Sequence, residues 1–183
     1  MPEITKTFYP KTRKQWRSWL EKHHDTEPEV WLVVYLKETG KPSVSYNDAV
    51  EEALCFGWID STRKTYTDDS RAQRFSPRRK GAPWSEINKE RVRRLHAQGL
   101  MTGAGLAAGV DFLDETFEVP EDLLTEIKQD DEIWEHFQAF PESYVRIRIG
   151  WIDGVRDRPE EFDKRLRYFL KMTKQGKRYG MVQ

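Results

Sequence analysis

The sequence predicts an α+β protein, in which a small antiparallel sheet with packed helices forms the N-terminal part and an all-helical part follows. Two short runs rich in β-branched and aromatic residues, and a third run that can return as the arm of a hairpin, all lie before residue 78 and predict strands. From Trp84 onward only helical spacings of apolar residues recur. We therefore predict an N-terminal part at residues 1–113 and a C-terminal part at residues 114–183, with one continuous domain as the alternative.

The first predicted elements are a helix, a strand and a second helix. Residues 11–24 place two tryptophans and a leucine at helical spacing between charged residues, which is typical of an amphipathic helix. Residues 31–37 (WLVVYLK) predict a strand that ends at a Gly-Lys-Pro turn. Ser45 is then predicted to cap a second helix, which Gly57 ends.

A β-hairpin is predicted directly after this second helix. Residues 58–66 have the composition of a strand, and strict alternation along them places Asp60 and Arg63 on opposite faces. Residues 67–70 (TDDS) form a turn signal, and residues 71–77 return as the second arm until a proline stops them. The predicted order of elements up to this point is α, β, α, β, β.

Six further helices are predicted from their start signals and apolar spacing. The last of them has the clearest stripe, with Phe162, Leu166, Phe169 and Leu170 at i, i+4, i+7 and i+8. Capping residues and helix-starting prolines mark where each helix begins. The predicted start signals are Ser85, Thr102 or Gly103, Pro120, Asp130 or Asp131, Pro141 and Pro159.

Length and composition favour a folded cytoplasmic protein. With 183 residues and 37% hydrophobic content, the chain is large enough to bury a core. No apolar run approaches the roughly 20 residues of a membrane span, and the N-terminus lacks the apolar stretch of a signal peptide. The single cysteine, Cys55, cannot form an internal disulfide, which is typical of a reducing compartment.

The net charge of zero hides a segregation of charge along the chain. The 31 basic and 31 acidic residues give −2 over residues 1–60, +7 over 61–100, −11 over 101–143 and +6 over 144–183. Such blocks more often pair with one another, or face different sides of a protein, than bind a polyanion. Nucleic acid is therefore the weaker alternative as a partner.

Residues that commonly bind metals and cofactors lack the spacing that such sites need. The four histidines form no HxH, HxxxH or HExxH pattern. Residues 103–109 (GAGLAAG) are glycine-rich, but no strand precedes them and no Walker lysine follows, so a nucleotide loop is not predicted. Cys55 has no histidine near it in sequence and is predicted to be a buried structural residue. The sequence thus predicts no metal and no cofactor.

An arginine-rich and tryptophan-rich segment is the candidate binding site. Residues 74–88 (RFSPRRKGAPWSEIN) bring four basic side chains close to the positive end of a predicted helix, and arginine forks suit phosphates and carboxylates. Together with residues 58–64 (WIDSTRK), they predict an anion-accepting groove with tryptophan walls. The predicted ligand-binding residues are Trp58, Asp60, Arg63, Arg74, Arg78, Arg79, Trp84, Ser85 and Asn88. The alternative is that Arg63, Arg78 and Arg79 pair with acids, namely Asp60, Glu51, Glu52 or the acidic 111–135 segment, and that both tryptophans are core residues.

Several of these motifs resemble a known family. The runs ALCFGWIDS (53–61), RFSPRRKGAPWSEINKERVRRL (74–95) and GLMTGAGL (99–106) resemble the YdeI/OmpD-associated bacterial proteins, also described as bacteriocin-protection proteins. Residues 143–178 are similar to the C-terminal helical region of that family, so the resemblance covers most of the chain. It implies a cytoplasmic protein linked to resistance against antimicrobial peptides or envelope stress, with no established reaction, cofactor or catalytic residue.

These observations predict a non-enzymatic binding protein. Its partner is predicted to be a small anionic ligand or a protein not yet identified, and Asp60 is predicted to orient Arg63 or Arg78 in the groove. One alternative is an enzyme that acts on a small acidic metabolite, with Asp60 as the general base and the arginines as a clamp. The other alternative is a protein that binds single-stranded nucleic acid through its basic segments.

Overall fold

The structure is a computed structural model that describes residues 3–180. It contains two compact units, one formed by residues 3–82 and 92–111 and the other by residues 83–91 and 112–180. The first unit holds a four-stranded sheet with helices, whereas the C-terminal end of the chain is helical only. The predicted α+β fold class is therefore confirmed.

The described residues form four strands and eight α-helices, most of which begin and end within a few residues of the predicted positions. The strands are β1 (Thr7–Phe8), β2 (Val30–Tyr35), β3 (Trp58–Thr67) and β4 (Ser70–Pro77). The helices are α1 (Arg13–His23), α2 (Tyr46–Cys55), α3 (Glu86–Ala97), α4 (Gly103–Ala107), α5 (Glu121–Lys128), α6 (Asp131–Ala139), α7 (Glu142–Asp153) and α8 (Pro159–Lys174). None of the helices in this part of the chain is long and apolar enough to cross a membrane.

The sheet has the strand order β1-β2-β4-β3. Strands β3 and β4 form the predicted antiparallel hairpin, and β4 also pairs antiparallel with β2. The predicted order of elements omitted β1, which runs parallel to β2 at the edge of the sheet. With only two residues, β1 is too short to produce a period in the sequence.

A β-bulge in β3 overturns the predicted alternation of its side chains. Asp60 pairs with Phe75 and Arg63 pairs with Gln73, so three steps along β3 match two steps along β4. Residues opposite one another in a ladder share a face of the sheet, and Phe75 and Gln73 lie two residues apart on one strand. Asp60 and Arg63 therefore lie on the same face of the sheet, because the extra residue shifts the period.

Helices α1 and α2 cover the sheet in the first unit. The ring of Trp16 lies 5.5 Å from the ring of Phe75, and its indole nitrogen donates a hydrogen bond of 2.9 Å to the carbonyl of Ala49 in α2. The cap of α2 is as predicted, since the Ser45 hydroxyl accepts from the backbone nitrogen of Asp48 at 3.1 Å. These contacts pack α1 and α2 together on the face of the sheet that carries Phe75, and all three residues are buried.

Two glycines allow α4 to approach the end of α2 closely. A Cβ atom at Gly105 would lie 2.2 Å from the carbonyl oxygen of Cys55, a distance that real Cβ atoms do not reach. Gly57, with φ of +75°, ends α2 and also lies close to α4, because its Cβ would meet the Ala104 carbonyl oxygen at 2.9 Å. Gly105 of the glycine-rich segment 103–109 thus has a role in helix packing.

Helices α5 to α8 enclose the core of the second unit. Of the two predicted start residues, Asp130 caps α6, because its side chain accepts from the backbone nitrogens of Glu132 and Ile133. Pro141 precedes α7 directly, and Pro159 is the first residue of α8. The buried residues that form this core are Leu123, Ile127, Ile133, Phe137, Tyr144, Val145, Ile149, Ile152 and Phe169.

Candidate functional site

The nine residues of the predicted groove belong to both units of the structure. Trp58, Asp60, Arg63, Arg74, Arg78 and Arg79 lie in the first unit, whereas Trp84, Ser85 and Asn88 lie in the second. Trp58 is a core residue, with only 1% of its surface exposed. Its indole nitrogen donates to the carbonyl of His24 at 3.0 Å, so its position is fixed from within the unit.

Asp60 and Arg63 lie near one another on the face of the sheet that α2 covers. The carboxylate of Asp60 accepts from the Tyr46 hydroxyl at 2.9 Å and from the side-chain amide of Gln73 at 3.4 Å. Arg63 is exposed and pairs in the ladder with Gln73. The bulge in β3 therefore brings these two predicted residues together.

The other predicted arginines of the first unit bind groups close to them. Arg74 forms an ion pair with Glu29, with its Nε 2.7 Å from the carboxylate. Arg78 donates from its side chain to the Ala82 carbonyl at 3.2 Å, and burial lowers the pKa of its guanidinium. Arg79 is exposed, and its carbonyl accepts from the backbone nitrogen of Ala82 at 3.1 Å. Arg74 thus lies within β4, whereas the hydrogen bond between Arg79 and Ala82 closes a tight turn after it.

Two of the acids considered as partners for these arginines bind other residues of the first unit. Glu51 and Glu52 of α2 are each only 3% exposed. Arg13 donates to both of them, at 2.9 and 2.5 Å, Arg17 donates to Glu52 at 2.8 Å, and Arg94 pairs with Glu51. Ion pairing thus neutralises the two buried carboxylates, but through arginines outside the predicted site.

Trp84, Ser85 and Asn88 lie at the start of α3. The ring of Trp84 packs edge-on against Phe112 at 5.0 Å. The carbonyl of Ser85 accepts from the backbone nitrogen of Asn88 at 2.9 Å, so the first turn of α3 begins there. The side chain of Asn88 accepts from Arg91 at 2.8 Å. Trp84 and Ser85 both line a cavity in the second unit.

This cavity, called here the α7 cavity, has a volume of about 950 Å³. The segment before α3, one side of α7, the start of α8 and the segment after α8 form its walls. Gly150 lets α7 approach the start of α3, because a Cβ at that position would lie 2.2 Å from Cγ of Glu86. The charged and aromatic residues of its lining are Trp84, Glu86, Arg148, Trp151, Asp153, Arg158, Arg165, Tyr168 and Tyr179.

Arg148 is the distinctive residue of the α7 cavity. It is only 7% exposed, and its guanidinium carbon lies 5.0 Å from the ring of Tyr179, 5.5 Å from Trp151 and 6.0 Å from Tyr144. Within residues 3–180, its Nε and the hydroxyls of Tyr144 and Tyr179 are buried without a hydrogen-bond partner. Over the same range, no carboxylate forms an ion pair with Arg148. Among the described residues, a positive charge is therefore held among aromatic rings without an ion-pair partner.

Most other charges of the cavity have partners inside the second unit. Glu86 pairs with Lys89 at 3.0 Å. Asp153 pairs with Arg156 at 2.5 Å. Arg165 pairs with Glu161 at 2.8 Å and also donates to the Trp151 carbonyl. The acids of the lining are thus neutralised by residues other than Arg148.

The titration of Tyr179 reflects the enclosed environment of this aromatic cluster. Burial raises the pKa of Tyr179 to about 12, and the positive charge of Arg148 opposes this shift. Burial also raises the pKa of Tyr144. Both phenols are therefore neutral near pH 7, and Arg148 has no anionic phenolate beside it.

Sequence reasoning missed Arg148, Trp151 and Tyr179. A signal was present in α7, because Tyr144, Arg148 and Trp151 follow at i, i+4 and i+7 and so share one helix face. The apolar residues of α7 masked this signal, since they occur on nearly every side of the helix. Tyr179 had no signal at all, because it follows the last helix in a segment without periodicity.

The described residues contain no group of three or more histidines, cysteines, aspartates or glutamates that could hold a metal ion. The only cysteine, Cys55, is fully buried as predicted, and burial raises its pKa to about 11. Its thiol is thus protonated near neutral pH, as expected for a structural cysteine.

Comparison with known families gives two matches. Residues 8–108 match the model of a domain of unknown function (DUF8412), which covers more than half of the chain. Residues 116–176 match the family described as Bacteriocin-protection, YdeI or OmpD-Associated, which confirms the resemblance to that family over this region, whereas the three motifs at residues 53–106 lie within the DUF8412 match. Neither a curated protein nor a solved structure matches the chain. The chain therefore belongs to the DUF8412 family, and it carries a YdeI/OmpD-associated region at residues 116–176.

Proposed function

We propose that this protein is a non-enzymatic binding protein whose α7 cavity accepts a small anion attached to a flat, aromatic body. The observation that carries the proposal is Arg148, a buried guanidinium without a carboxylate partner among residues 3–180. A buried charge is costly unless an opposite charge and hydrogen bonds compensate it. A bound anion supplies both.

The chemistry of the lining supports an anion with a flat body. Arginine binds carboxylates and phosphates through two parallel hydrogen bonds, and Arg158 adds a second positive charge at the same cavity. Trp84, Trp151 and Tyr168 offer aromatic surface for a planar group. The volume of about 950 Å³ is in the range of small-molecule sites.

Two residues of the predicted groove take part in this proposal. Trp84 and Ser85 line the α7 cavity together with Arg148. An anion-accepting role for Trp58, Asp60, Arg63, Arg74, Arg78, Arg79 and Asn88 stays a prediction. The geometry thus supports the predicted chemistry, arginine with tryptophan, at a site centred on a different arginine.

The family match suggests a biological role for such binding. The second family is described by bacteriocin protection. We propose that ligand binding serves this protective role, in resistance to antimicrobial peptides or envelope stress. We also place the protein in the cytoplasm, where its single cysteine stays reduced.

The test is to titrate the purified protein with benzoate, AMP and inorganic phosphate by isothermal calorimetry. We expect benzoate or AMP to bind more tightly than phosphate, because only these two contain a planar aromatic ring that can pack against the tryptophans and tyrosines. Arg148→Met keeps the bulk of the side chain and removes its charge, so affinity should fall about ten- to a hundredfold, the effect of losing a charged hydrogen bond. Arg167→Met, an exposed change in α8 outside the α7 cavity, is the matched control.

Two outcomes contradict the proposal. If the wild-type protein binds none of the three anions, the α7 cavity is not an anion site. If Arg148→Met folds with an unchanged circular dichroism spectrum and binds as tightly as the wild type, Arg148 does not carry the binding. Salt-sensitive binding of a single-stranded oligonucleotide that Arg148→Met leaves intact would favour the nucleic-acid alternative instead.

A further inference from the structure

A second cavity lies in the first unit, on the face of the sheet that α2 covers. Its volume is about 40 Å³, and we call it the sheet-face cavity. Its apolar floor consists of Leu32 and Val34 from β2, Phe75 from β4 and Ala49 from α2. An apolar cavity of this kind accepts hydrocarbon more readily than water.

Four residues that line the sheet-face cavity carry a polar group, and they define what we call its mouth: Tyr46, Arg63, Arg71 and Gln73. The bulge in β3 places Arg63 there, because strict alternation would turn it to the other face. Bulges often redirect a side chain next to a functional site.

The charges at the mouth favour an anion. Arg71 donates to the carbonyl of Ser70 at 2.9 Å, whereas Arg63 forms no ion pair with an acid within residues 3–180. The carboxylate near them is Asp60, and its Oδ2 already accepts from Tyr46 and Gln73. Two positive groups therefore face one negative group, and Arg63 has the freedom to bind a ligand.

The volume of the sheet-face cavity limits how much of a ligand can be buried in it. One water-sized group needs about 10–15 Å³ of such volume, so about 40 Å³ holds roughly three of them. A buried tail of three or four carbon atoms fits this space, whereas a longer chain would have to extend into solvent or push the floor apart.

We propose that the sheet-face cavity binds a small carboxylate with an aliphatic tail of three or four carbons. The tail lies on Leu32, Val34 and Phe75, and Arg63 binds the carboxylate at the mouth. This site lies within the residues of the DUF8412 match and is independent of the α7 cavity.

The test uses a chain-length series in a titration of ¹⁵N-labelled protein followed by NMR. We expect butyrate and isovalerate to bind more tightly than acetate, which lacks the tail, and than octanoate, which exceeds the cavity. Butylamine and butan-1-ol have similar tails without the negative charge, so they should bind at least tenfold more weakly. The largest shifts should occur in the amides around Leu32 and Gln73.

Two variants separate the roles of charge and cavity. Arg63→Gln changes an exposed side chain, so folding should persist while the affinity for butyrate falls about tenfold. Lys64→Gln is the matched control, since Lys64 pairs with Ala72 and lies on the opposite face of the sheet. Val34→Leu fills the cavity and should reduce the binding of butyrate more than that of acetate.

The proposal is overturned if Arg63→Gln binds butyrate as tightly as the wild type, or if butylamine binds as well as butyrate. It is also overturned if affinity rises steadily from acetate to octanoate, because an open apolar surface would then explain the binding. Arg148→Met should leave butyrate binding unchanged, so failure at one cavity does not imply failure at the other.

Discussion

The guanidinium carbon of Arg148 lies 5.0 Å from the centre of the Tyr179 ring, a contact that joins α7 to the segment after α8. The same ring packs edge-on against Tyr168 at 4.7 Å and against Trp151 at 6.3 Å. Tyr179 therefore closes the aromatic cluster around Arg148. Substitutions of Tyr179 therefore alter the surroundings of the Arg148 guanidinium.

Tyr179 should make the protein less stable in alkaline solution. Its pKa is about 10 when unfolded and about 12 when folded, so between these values the folded state holds the phenol proton and the unfolded state releases it. The free energy of unfolding should therefore fall as pH rises from 10 to 12. Tyr179→Phe removes this titration. As pH rises from 10 to 12, the free energy of unfolding of the wild type should therefore fall relative to that of the variant.

Urea unfolding at several pH values measures this effect, and ultraviolet titration of phenolate absorbance checks the assignment. Tyr66→Phe is the control, because Tyr66 is an exposed tyrosine of the hairpin. A difference between wild type and Tyr179→Phe that stays constant from pH 9 to 12 would show that Tyr179 titrates normally.

Gly105→Ala should destabilise the protein strongly. The new Cβ would lie 2.2 Å from the Cys55 carbonyl oxygen, so α4 must move away from the end of α2. We expect a loss of about 3 kcal/mol in the free energy of unfolding, the upper range for overpacking. The matched change, Gly103→Ala, meets nothing within 4 Å and should be neutral or slightly stabilising. Equal effects of the two changes on urea unfolding would contradict the close approach.

Arg13→Met should destabilise more than the loss of an exposed arginine. It leaves Glu51 and Glu52 buried with less compensation, although Arg17 and Arg94 remain. We expect a loss of about 2 kcal/mol, less than for a fully buried pair because Arg13 is partly exposed.

The control for this prediction is Arg156→Met. Arg156 also binds two carboxylates, Asp122 and Asp153, but all three groups are exposed. Such pairs contribute under about 1 kcal/mol. If thermal unfolding shows the same destabilisation in both variants, burial of the glutamates does not determine the effect.

Cys55 should react slowly in the folded protein. A pKa of about 11 instead of 9.0 lowers the thiolate fraction at pH 8 about a hundredfold, and burial blocks access as well. Reaction with a chromogenic disulfide reagent should be slow in native buffer and fast in concentrated urea. Rapid modification of the native protein would show that the α2–α4 contact opens readily.

Local signals predicted most of the elements. Ser45, Thr102 and Asp130 cap helices with their side chains, and each was visible as a hydroxyl or carboxylate before an apolar period. The turn signal at residues 67–70 also predicted the β3–β4 hairpin, because it separates a β-rich run from a segment that can return beside it. These features depend on neighbours within a few residues, which a single sequence contains.

The candidate sites were predictable only in their chemistry. Arginine with tryptophan was the predicted combination, and the α7 cavity has it, but centred on Arg148 rather than on the residues before α3. The bulge that places Arg63 beside Asp60 depends on how β3 aligns with β4. Strict alternation predicted the opposite placement, since one extra residue reverses the side chains that follow it, here up to a second register shift between Thr65 and Thr67.

The sequence alone determined the fold class, the caps, the hairpin and the burial of Cys55, because each follows from short-range periods and residue preferences. Only the tertiary structure decided which charges are paired. Glu51 and Glu52 obtain arginines from α1 and α3, whereas Arg148 receives aromatic rings and no acid within residues 3–180. Such pairing depends on distances between residues far apart in the chain, and those distances exist only once the helices pack.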